Sequence, residues 1–334
     1  MWIGAQGGCI PSWRTGPEVP RILITGAHGF IGKHLAHVLS AAGHHVCGVG
    51  HGIWPESEAA AWGISHWLNG DIQPGNLRQL QQMAGTPDVV YHLAGGSSVG
   101  VAVANPREDF FRTVVTTAEL LDWLRLDAPA AHLVAVSSAA VYGAGHEGQI
   151  GEDATLDPYS PYGHHKRIME DLCRSHAASY GLRVTIARLF SVFGPGLKKQ
   201  LPWDLCSRLA AGTNPLTLGG SGAELRDWTD VRDVVRALAL LGEHAPTKPV
   251  VCNVGTGIGT PVRAIAELLC AGWSWQARTP ALQFSGQSRP GDPFSLVAQP
   301  DRLRAFGFEW QIPVAQGLAE YLPWFEGNSR PGVA

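Results

Sequence analysis

Apolar residues in the first half of the chain form short continuous runs, each followed by small or polar residues. The first run is "RILIT" (21–25), and beyond it apolar positions recur at the spacing of one helix face from Ile31 to Leu39. Runs of strand length without polar interruption are typical of strands that are covered on both faces of a parallel sheet. The pattern predicts an α/β fold with a doubly wound parallel sheet. The other runs are "HHVCGVG" (44–50), "DVVYHLAGG" (88–96) and "HLVAVSSAAVYG" (132–143).

Two longer stretches, at about residues 107–126 and 162–180, carry apolar residues on more than one face. Helical spacing with more than one apolar face predicts helices that pack on two sides. We expect a leader over residues 1–20 that is disordered, a first unit over 21–186 that contains the parallel sheet, and a smaller α/β unit built mainly from 187–330.

Three glycines follow the first strand directly, at Gly26, Gly29 and Gly32, in the spacing GxxGxxG. The order strand, glycine turn, helix places backbone N–H groups and a helix N-terminus where they can bind a pyrophosphate. The helix would begin with Phe30 and Ile31, which adds them to the predicted cofactor contacts. A tight turn without a ligand is the alternative that the glycines alone leave open.

The end of the second strand is where a dinucleotide site usually tests the adenosine ribose, and Gly50 and His51 stand there. An acid at this point selects the free 2′-hydroxyl and a nearby arginine selects the 2′-phosphate. Since neither is adjacent, the choice between NAD and NADP stays open. Asp71 and Ile72 follow a further short strand in "NGDI" (69–72), and further predicted cofactor contacts follow the next strand at Leu93, Ala94 and Gly95.

The composition restricts the class of protein further. The chain has 334 residues, is 45% hydrophobic and 16% charged, and carries a net charge of -3, with basic residues scattered singly. This excludes a disordered protein and gives no basic stripe for nucleic acid. No stretch reaches the length of a membrane span. Six cysteines without a CxxC pair indicate buried thiols in a reducing compartment, so the cytoplasm is expected. The 14 histidines lack metal-ligand spacing, and no metal site is expected.

The segment "SPYGHHK" (160–166) places Tyr162 and Lys166 four residues apart on a predicted helix. Side chains at i and i+4 lie on one helix face, so the ammonium could lower the pKa of the phenol and make it an acid/base catalyst. An ordinary helix surface is the alternative when the pair is taken alone. Two serines, Ser137 and Ser138, end the preceding strand.

The serine at a strand end, the Tyr and Lys on the next helix and the glycine turn occur in an order that resembles the extended short-chain dehydrogenase/reductases. The resemblance is to their nucleotide-sugar epimerase/dehydratase group and covers Arg21 to about Trp324. It implies that Tyr162 is the general acid/base and that Lys166 binds the nicotinamide ribose. It also implies that Asp71 and Ile72 contact the adenine of the cofactor. Ser138 would hydrogen-bond the reacting sugar oxygen, and Glu170 would be structural.

The second half resembles the same group. "ARLFSVFGPG" (187–196) places Ser191 at the substrate, and "AELRDWTDVRDVV" (223–235) and "SRPGDP" (288–293) supply Arg226 and Arg289. The resemblance implies that these two arginines clamp the diphosphate of a nucleotide sugar. A guanidinium suits this task because its planar fork donates paired hydrogen bonds. The alternative for each arginine is a structural ion pair. The resemblance also implies a homodimer formed through a four-helix bundle.

Departures from the family pattern narrow the expected reaction. Ala139 and Ala140 stand where the 4,6-dehydratases of this group carry an acidic pair, and no cysteine of the C3/C5 epimerases is present. Thr113 and His165 replace the family's asparagine and serine. We therefore expect hydride transfer at sugar C4, in a 4-epimerase or a 4-keto sugar reductase. A dehydratase is less favoured, and a non-catalytic NAD(P)-binding sensor or scaffold is the alternative class.

Overall fold

The computed structural model describes residues 19–273, 280–287 and 292–329. The strands are listed in chain order: β1 Arg21–Thr25, β2 His45–Gly50, β3 Ile64–Asn69, β4 Val89–His92, β5 His132–Ser138, β6 Gln149–Ile150, β7 Arg183–Leu189, β8 Ser191–Phe193, β9 Leu216–Leu218, β10 Leu225–Asp230, β11 Val250–Val254, β12 Gly259–Pro261, β13 Leu282–Phe284 and β14 Ser295–Ala298.

Helices alternate with these strands over most of the chain. They are α1 Phe30–Ala41, α2 Glu56–Ala61, α3 Pro74–Ala84, α4 Val99–Ala104, α5 Pro106–Phe110, α6 Thr116–Asp127, α7 Pro161–Tyr180, α8 Gln200–Ala210, α9 Val231–Glu243, α10 Val262–Gly272, α11 Asp301–Ala305 and α12 Val314–Ser329. A π-helical turn, Phe111–Val115, joins α5 to α6. The two long helical stretches predicted from the sequence are therefore present.

Seven parallel strands form the main sheet, in the order β11-β7-β5-β4-β1-β2-β3. Its apolar strand residues are buried on both faces, with α1 and α9 on one side and α3, α6 and α7 on the other. This confirms the doubly wound parallel sheet. The strand order reverses between β1 and β4, so the carboxyl ends of these two strands border the crevice where such sheets bind ligands.

A second, smaller unit is built mainly from residues that follow β7, together with the earlier strand β6. Its sheet has the order β12-β10-β14-β6, with β8 also paired to β10, and β13 pairs with β9. The chain returns from this half to the main sheet, because α9 packs against α1 and β11 pairs with β7. The division at residues 186 and 187 stays a prediction, and residues 1–18 of the predicted leader lie outside the described part.

The cysteines of the described residues are buried free thiols, as predicted. They are Cys47, Cys173, Cys206, Cys252 and Cys270. In the three described segments, no helix has the length and apolar character needed to cross a membrane. The same segments contain no group of three or more His, Cys, Asp or Glu side chains that could hold a metal ion.

Candidate active site

A cavity of about 560 Å³ opens at the carboxyl ends of β1 and β4 and extends towards the second sheet. It is lined by most of the predicted site residues: Gly26, Gly29, Phe30, Ile31, Gly32, His51, Leu93, Ala94, Gly95, Ser138, Tyr162, Lys166, Ser191 and Arg226. Asp71 and Ile72 are not among the lining residues, and the Ile72 side chain is buried in the core beside α3. Arg289 lies outside the described residues.

The glycine turn fits a pyrophosphate. Gly26 has a φ of +71°, and a Cβ there would lie 3.0 Å from the Ala94 nitrogen. A Cβ on Gly32 would lie 2.4 Å from the Gly26 carbonyl oxygen, so α1 can approach the turn only with glycine at that position. No side chain caps α1 at Gly29. The N–H groups of its first turn are therefore available to an anion.

His51 at the end of β2 has an acidic neighbour that its sequence position did not suggest. The Asp71 Oδ1 atom lies 3.2 Å from His51 Nε2, and both side chains are 75% exposed. A carboxylate is thus close to the edge of the cavity where the adenosine ribose is expected. It comes from the loop after β3 instead of from β2 itself.

Tyr162 lies at the start of α7, and a glycine brings this helix close to the serine strand end. Ser160 caps the helix by accepting a hydrogen bond from the Gly163 N–H at 3.1 Å, and Pro161 occupies its first turn. A Cβ on Gly163 would lie 2.5 Å from the Ala140 carbonyl oxygen. The close approach allows the Tyr162 phenol to hydrogen-bond Ser138.

The pKa of the Tyr162 phenol is raised from its ordinary value in this structure, whereas the spacing of Tyr162 and Lys166 predicted a lowered pKa. Burial of the phenol is the main cause, and the charge of Asp109 adds to it, while the hydrogen bond to Ser138 acts in the opposite direction. Lys166 is not among the groups that shift this pKa, and its ammonium donates a hydrogen bond to the Val136 carbonyl oxygen at 3.0 Å.

Lys166 is 3% exposed and lies beneath the glycines that follow β4. Burial lowers its pKa to about 8, against the opposing effects of Asp109, Glu170 and Cys173. A Cβ on Gly95 would lie 3.3 Å from the Lys166 ammonium. The absence of a side chain at Gly95 therefore leaves the ammonium in contact with the cavity.

Glu170, one turn after Lys166, belongs to a buried hydrogen-bonded network. Its carboxylate accepts from Arg188 Nε at 2.9 Å and Nη2 at 2.7 Å, and from Ser137 Oγ at 2.6 Å. Arg188 also donates to the Tyr142 hydroxyl and the Glu152 carbonyl oxygen. Burial by itself raises the pKa of Glu170, but the hydrogen bonds and charge of Arg188 outweigh it and hold this pKa below its ordinary value.

The opposite wall of the cavity carries cations from the second unit. Arg226 on β10 lies 3.6 Å from Asp292 and also lines an adjoining cavity of about 500 Å³. Lys199, at the start of α8, donates to the Ser97 carbonyl oxygen at 3.4 Å. Lys199 was not among the site residues predicted from the sequence, although the basic pair in "GPGLKKQ" was a signal for it. Gln200 lines both cavities and has a φ of +64°, a strained backbone for a residue other than glycine.

The sheet order, the uncapped helix at the glycine turn and the crevice define a dinucleotide-binding α/β protein with a second, smaller unit. Residues 22–255 match the model of the NAD dependent epimerase/dehydratase family. The chain belongs to this family, and its cofactor is accordingly NAD or NADP.

Curated relatives and solved structures agree with this family. UDP-glucose 4-epimerase of Azospirillum brasilense is 31% identical, with 85% of both chains covered. GDP-6-deoxy-D-mannose reductase of Pseudomonas aeruginosa is also 31% identical, covering 93% of this chain and 98% of the relative. The structure of MoeE5 in complex with UDP-glucuronic acid and NAD superposes with a TM-score of 0.80 at 29% identity, covering 92% of this chain and 99% of that one.

The buried network predicts a large loss of stability when the charge on Glu170 is removed. The substitution Glu170→Gln leaves the Arg188 guanidinium buried without a counter-ion, which costs about 3–5 kcal/mol of unfolding free energy. The neighbouring Asp171→Asn is the matched control, because its pair with Arg174 is largely exposed and worth about 1 kcal/mol or less. Urea denaturation at neutral pH measures both changes.

The pH dependence of the same experiment has a defined sign. The pKa of Glu170 in the folded protein lies below its ordinary value, so its stabilisation is present at neutral pH and is lost as the pH falls through the lowered pKa. The difference between wild type and Glu170→Gln should therefore shrink in acid. Equal small losses for the Gln and Asn variants would contradict the assigned role of the network.

Proposed function

We propose that the protein is an NAD(P)-dependent 4-epimerase of a uridine-diphosphate sugar that acts by hydride transfer at sugar C4. The observation that supports this most is the placement of Ser138, Tyr162 and Lys166 in the same cavity as the glycine turn and Arg226. A cofactor bound at the turn and a nucleotide bound at the arginine would bring a hexose between them, next to the Tyr162 phenol.

The charges that line the cavity suit an anionic substrate. In the described part of the chain, the lining includes three cationic side chains, Lys166, Lys199 and Arg226, and one carboxylate, that of Asp292. The adjoining cavity beyond Arg226 gives room for the nucleoside. We propose that Arg226 binds the diphosphate and Ser191 the sugar side, and that Arg289 completes the clamp.

In the proposed reaction, Ser138 and Tyr162 act on the C4 oxygen of the sugar. When bound, an oxidised nicotinamide would supply the hydride acceptor, and its positive charge would favour the Tyr162 phenolate over the phenol. As the phenolate, Tyr162 would accept the proton of the C4 hydroxyl as that carbon loses hydride, and Ser138 would donate a hydrogen bond to the oxygen. The reverse transfer to the other face of the 4-keto sugar returns the proton from Tyr162. Lys166 would orient the ribose of the cofactor.

A 4-keto sugar reductase is the second candidate, because a reductase is among the relatives that are 31% identical. The same three side chains serve both reactions. A dehydratase is disfavoured because Ala139 and Ala140 line the cavity beside Ser138, and an alanine can act neither as acid nor as base.

We also propose that a second copy of the chain covers the helices beside the site. Five apolar side chains on or next to α4, α5 and α7 are 38 to 60% exposed: Val101, Val103, Phe110, Phe111 and Ile168. These helices contact one another and form one surface.

Light scattering of the wild-type protein should give the mass of two chains. The variant Phe111→Arg should give the mass of one chain. A wild-type mass of one chain would reject the dimer.

The substitution Tyr162→Phe tests the catalytic proposal. We expect it to lower kcat for UDP-glucose by about 10²–10⁴ while dinucleotide binding is retained, because only the proton-transferring hydroxyl is removed. The control is Tyr180→Phe at the exposed end of the same helix. Unchanged turnover in the Tyr162→Phe variant would contradict the mechanism.

A second assay separates the two candidate reactions. Turnover of UDP-glucose without added reduced cofactor supports the epimerase, and oxidation of NADPH by a nucleotide 4-keto-6-deoxy sugar supports the reductase.

A further inference from the structure

A buried pair of titratable side chains lies behind the cavity and has no part in the mechanism above. The Asp109 Oδ2 atom lies 2.6 Å from His165 Nδ1, with the side chains 3% and 12% exposed. Asp109 lies in the last turn of α5, just before the π-helical segment, and His165 directly precedes Lys166. Neither side chain lines the cavity. Their effect on the reaction would therefore have to act through other residues.

Asp109 is held against the backbone that follows β4. A Cβ on Gly96 would lie only 1.8 Å from Asp109 Oδ1, so the carboxylate occupies the space of a side chain at that position. On the neighbouring glycine, a Cβ at Gly95 would lie 3.3 Å from both the Lys166 ammonium and Thr113 Oγ1. The carboxylate and the ammonium thus contact adjacent residues of one short segment.

The hydrogen bonds around this segment keep the carboxylate in place. Thr113 Oγ1 accepts from the Gly96 N–H at 2.8 Å, which fixes the glycine backbone against the π-helical turn. His165 contacts the other carboxylate oxygen, and its ring packs edge-on against Phe110 with centroids 5.4 Å apart. Asp109 therefore has little freedom to move away from Lys166.

The charge of Asp109 acts on both catalytic side chains. It raises the pKa of Lys166 against the dominant effect of burial, and it adds to the raised pKa of Tyr162. A negative charge in a poorly solvated site favours a nearby ammonium and disfavours a nearby phenolate. Asp109 thus favours the protonated form of each residue.

We propose that Asp109, fixed in place by His165, is a positioning residue that keeps Lys166 an ammonium beneath the cofactor cavity. The assignment of Lys166 as a cofactor-binding residue rests on the proposed function, but its charge state can be tested without substrate or cofactor. The ammonium form of Lys166 carries a positive charge and three N–H donors for a ribose. The neutral amine has no charge and one donor fewer.

Few other charged groups lie near the pair in the described part of the chain. The α4 segment Val99–Ala104 contains no titratable side chain, and Glu108 and Arg112 form an exposed ion pair with each other at 2.5 Å. Glu170 acts on Lys166 but is already paired with Arg188. The titratable groups that interact electrostatically with Asp109 or with Lys166 are Tyr162, Glu170, Cys173 and His92.

The small number of lysines makes a direct measurement possible. The chain has five, Lys33, Lys166, Lys198, Lys199 and Lys248, so labelling lysine with ¹³C at Cε gives at most five NMR signals to follow with pH. The Lys166 signal is assigned by its loss in Lys166→Arg. In the wild type we expect it to titrate with a pKa of about 8.

Removing the carboxylate charge should lower this midpoint. We expect Asp109→Asn to move the Lys166 titration to lower pH by about one unit, the size expected for one charge at short range in a partly buried site. His165→Asn keeps a hydrogen-bond donor and the Asp109 charge, so it should not move the midpoint to lower pH. Lys33, paired with exposed Glu58, serves as the internal control signal.

A second neutral variant covers the case in which Asp109→Asn fails to fold. Asp109→Ser is smaller, can still hydrogen-bond His165 and should lower the midpoint in the same direction. An unchanged or raised Lys166 midpoint in a folded neutral variant would overturn the proposal, as would an equal downward shift in His165→Asn. Because no sugar is involved, these results are independent of whether the proposed epimerase reaction is correct.

Discussion

The burial of Arg188 together with Glu170 is the interaction on which the arrangement of the site depends. A guanidinium and a carboxylate can be buried together only if nearly all their donors and acceptors form hydrogen bonds within the protein. Glu170 holds α7, which carries Tyr162 and Lys166, against the end of β5 through Ser137. The Arg188 guanidinium is also connected, through further hydrogen bonds, to the second sheet.

That second connection runs through side chains distant in sequence. Arg188 donates to the Tyr142 hydroxyl, which donates to Asn253, and the Asn253 amide donates to the Ile150 carbonyl oxygen of β6. One buried network therefore joins α7, the main sheet and the sheet of Arg226. This network holds the two walls of the cavity in a fixed relation. It gives a physical reason for a structural glutamate one turn after Lys166.

Local patterns were sufficient to predict the main sheet, the glycine turn and the long helices, because each depends on residues close in sequence. Gly32, for example, is required by its contact with Gly26, six residues away. The lowered pKa expected for Tyr162 was wrong, because it assumed that an i+4 lysine faces the phenol. The Lys166 ammonium instead bonds the Val136 carbonyl, and the dominant influence on the phenol is burial. Asp109, the other charge acting on it, is 53 residues earlier in the sequence, and no local pattern connects the two.

The most direct test of the account is the fate of the hydrogen at sugar C4. Purified protein would be incubated in ordinary water with UDP-glucose and UDP-glucuronate carrying deuterium at C4, and the C4 epimers analysed by NMR and mass spectrometry. Hydride transfer at a retained cofactor predicts epimers that keep deuterium at C4. Epimers that have lost the deuterium to water would show proton abstraction from carbon, and would contradict the roles assigned to Ser138, Tyr162 and the glycine-turn cofactor site.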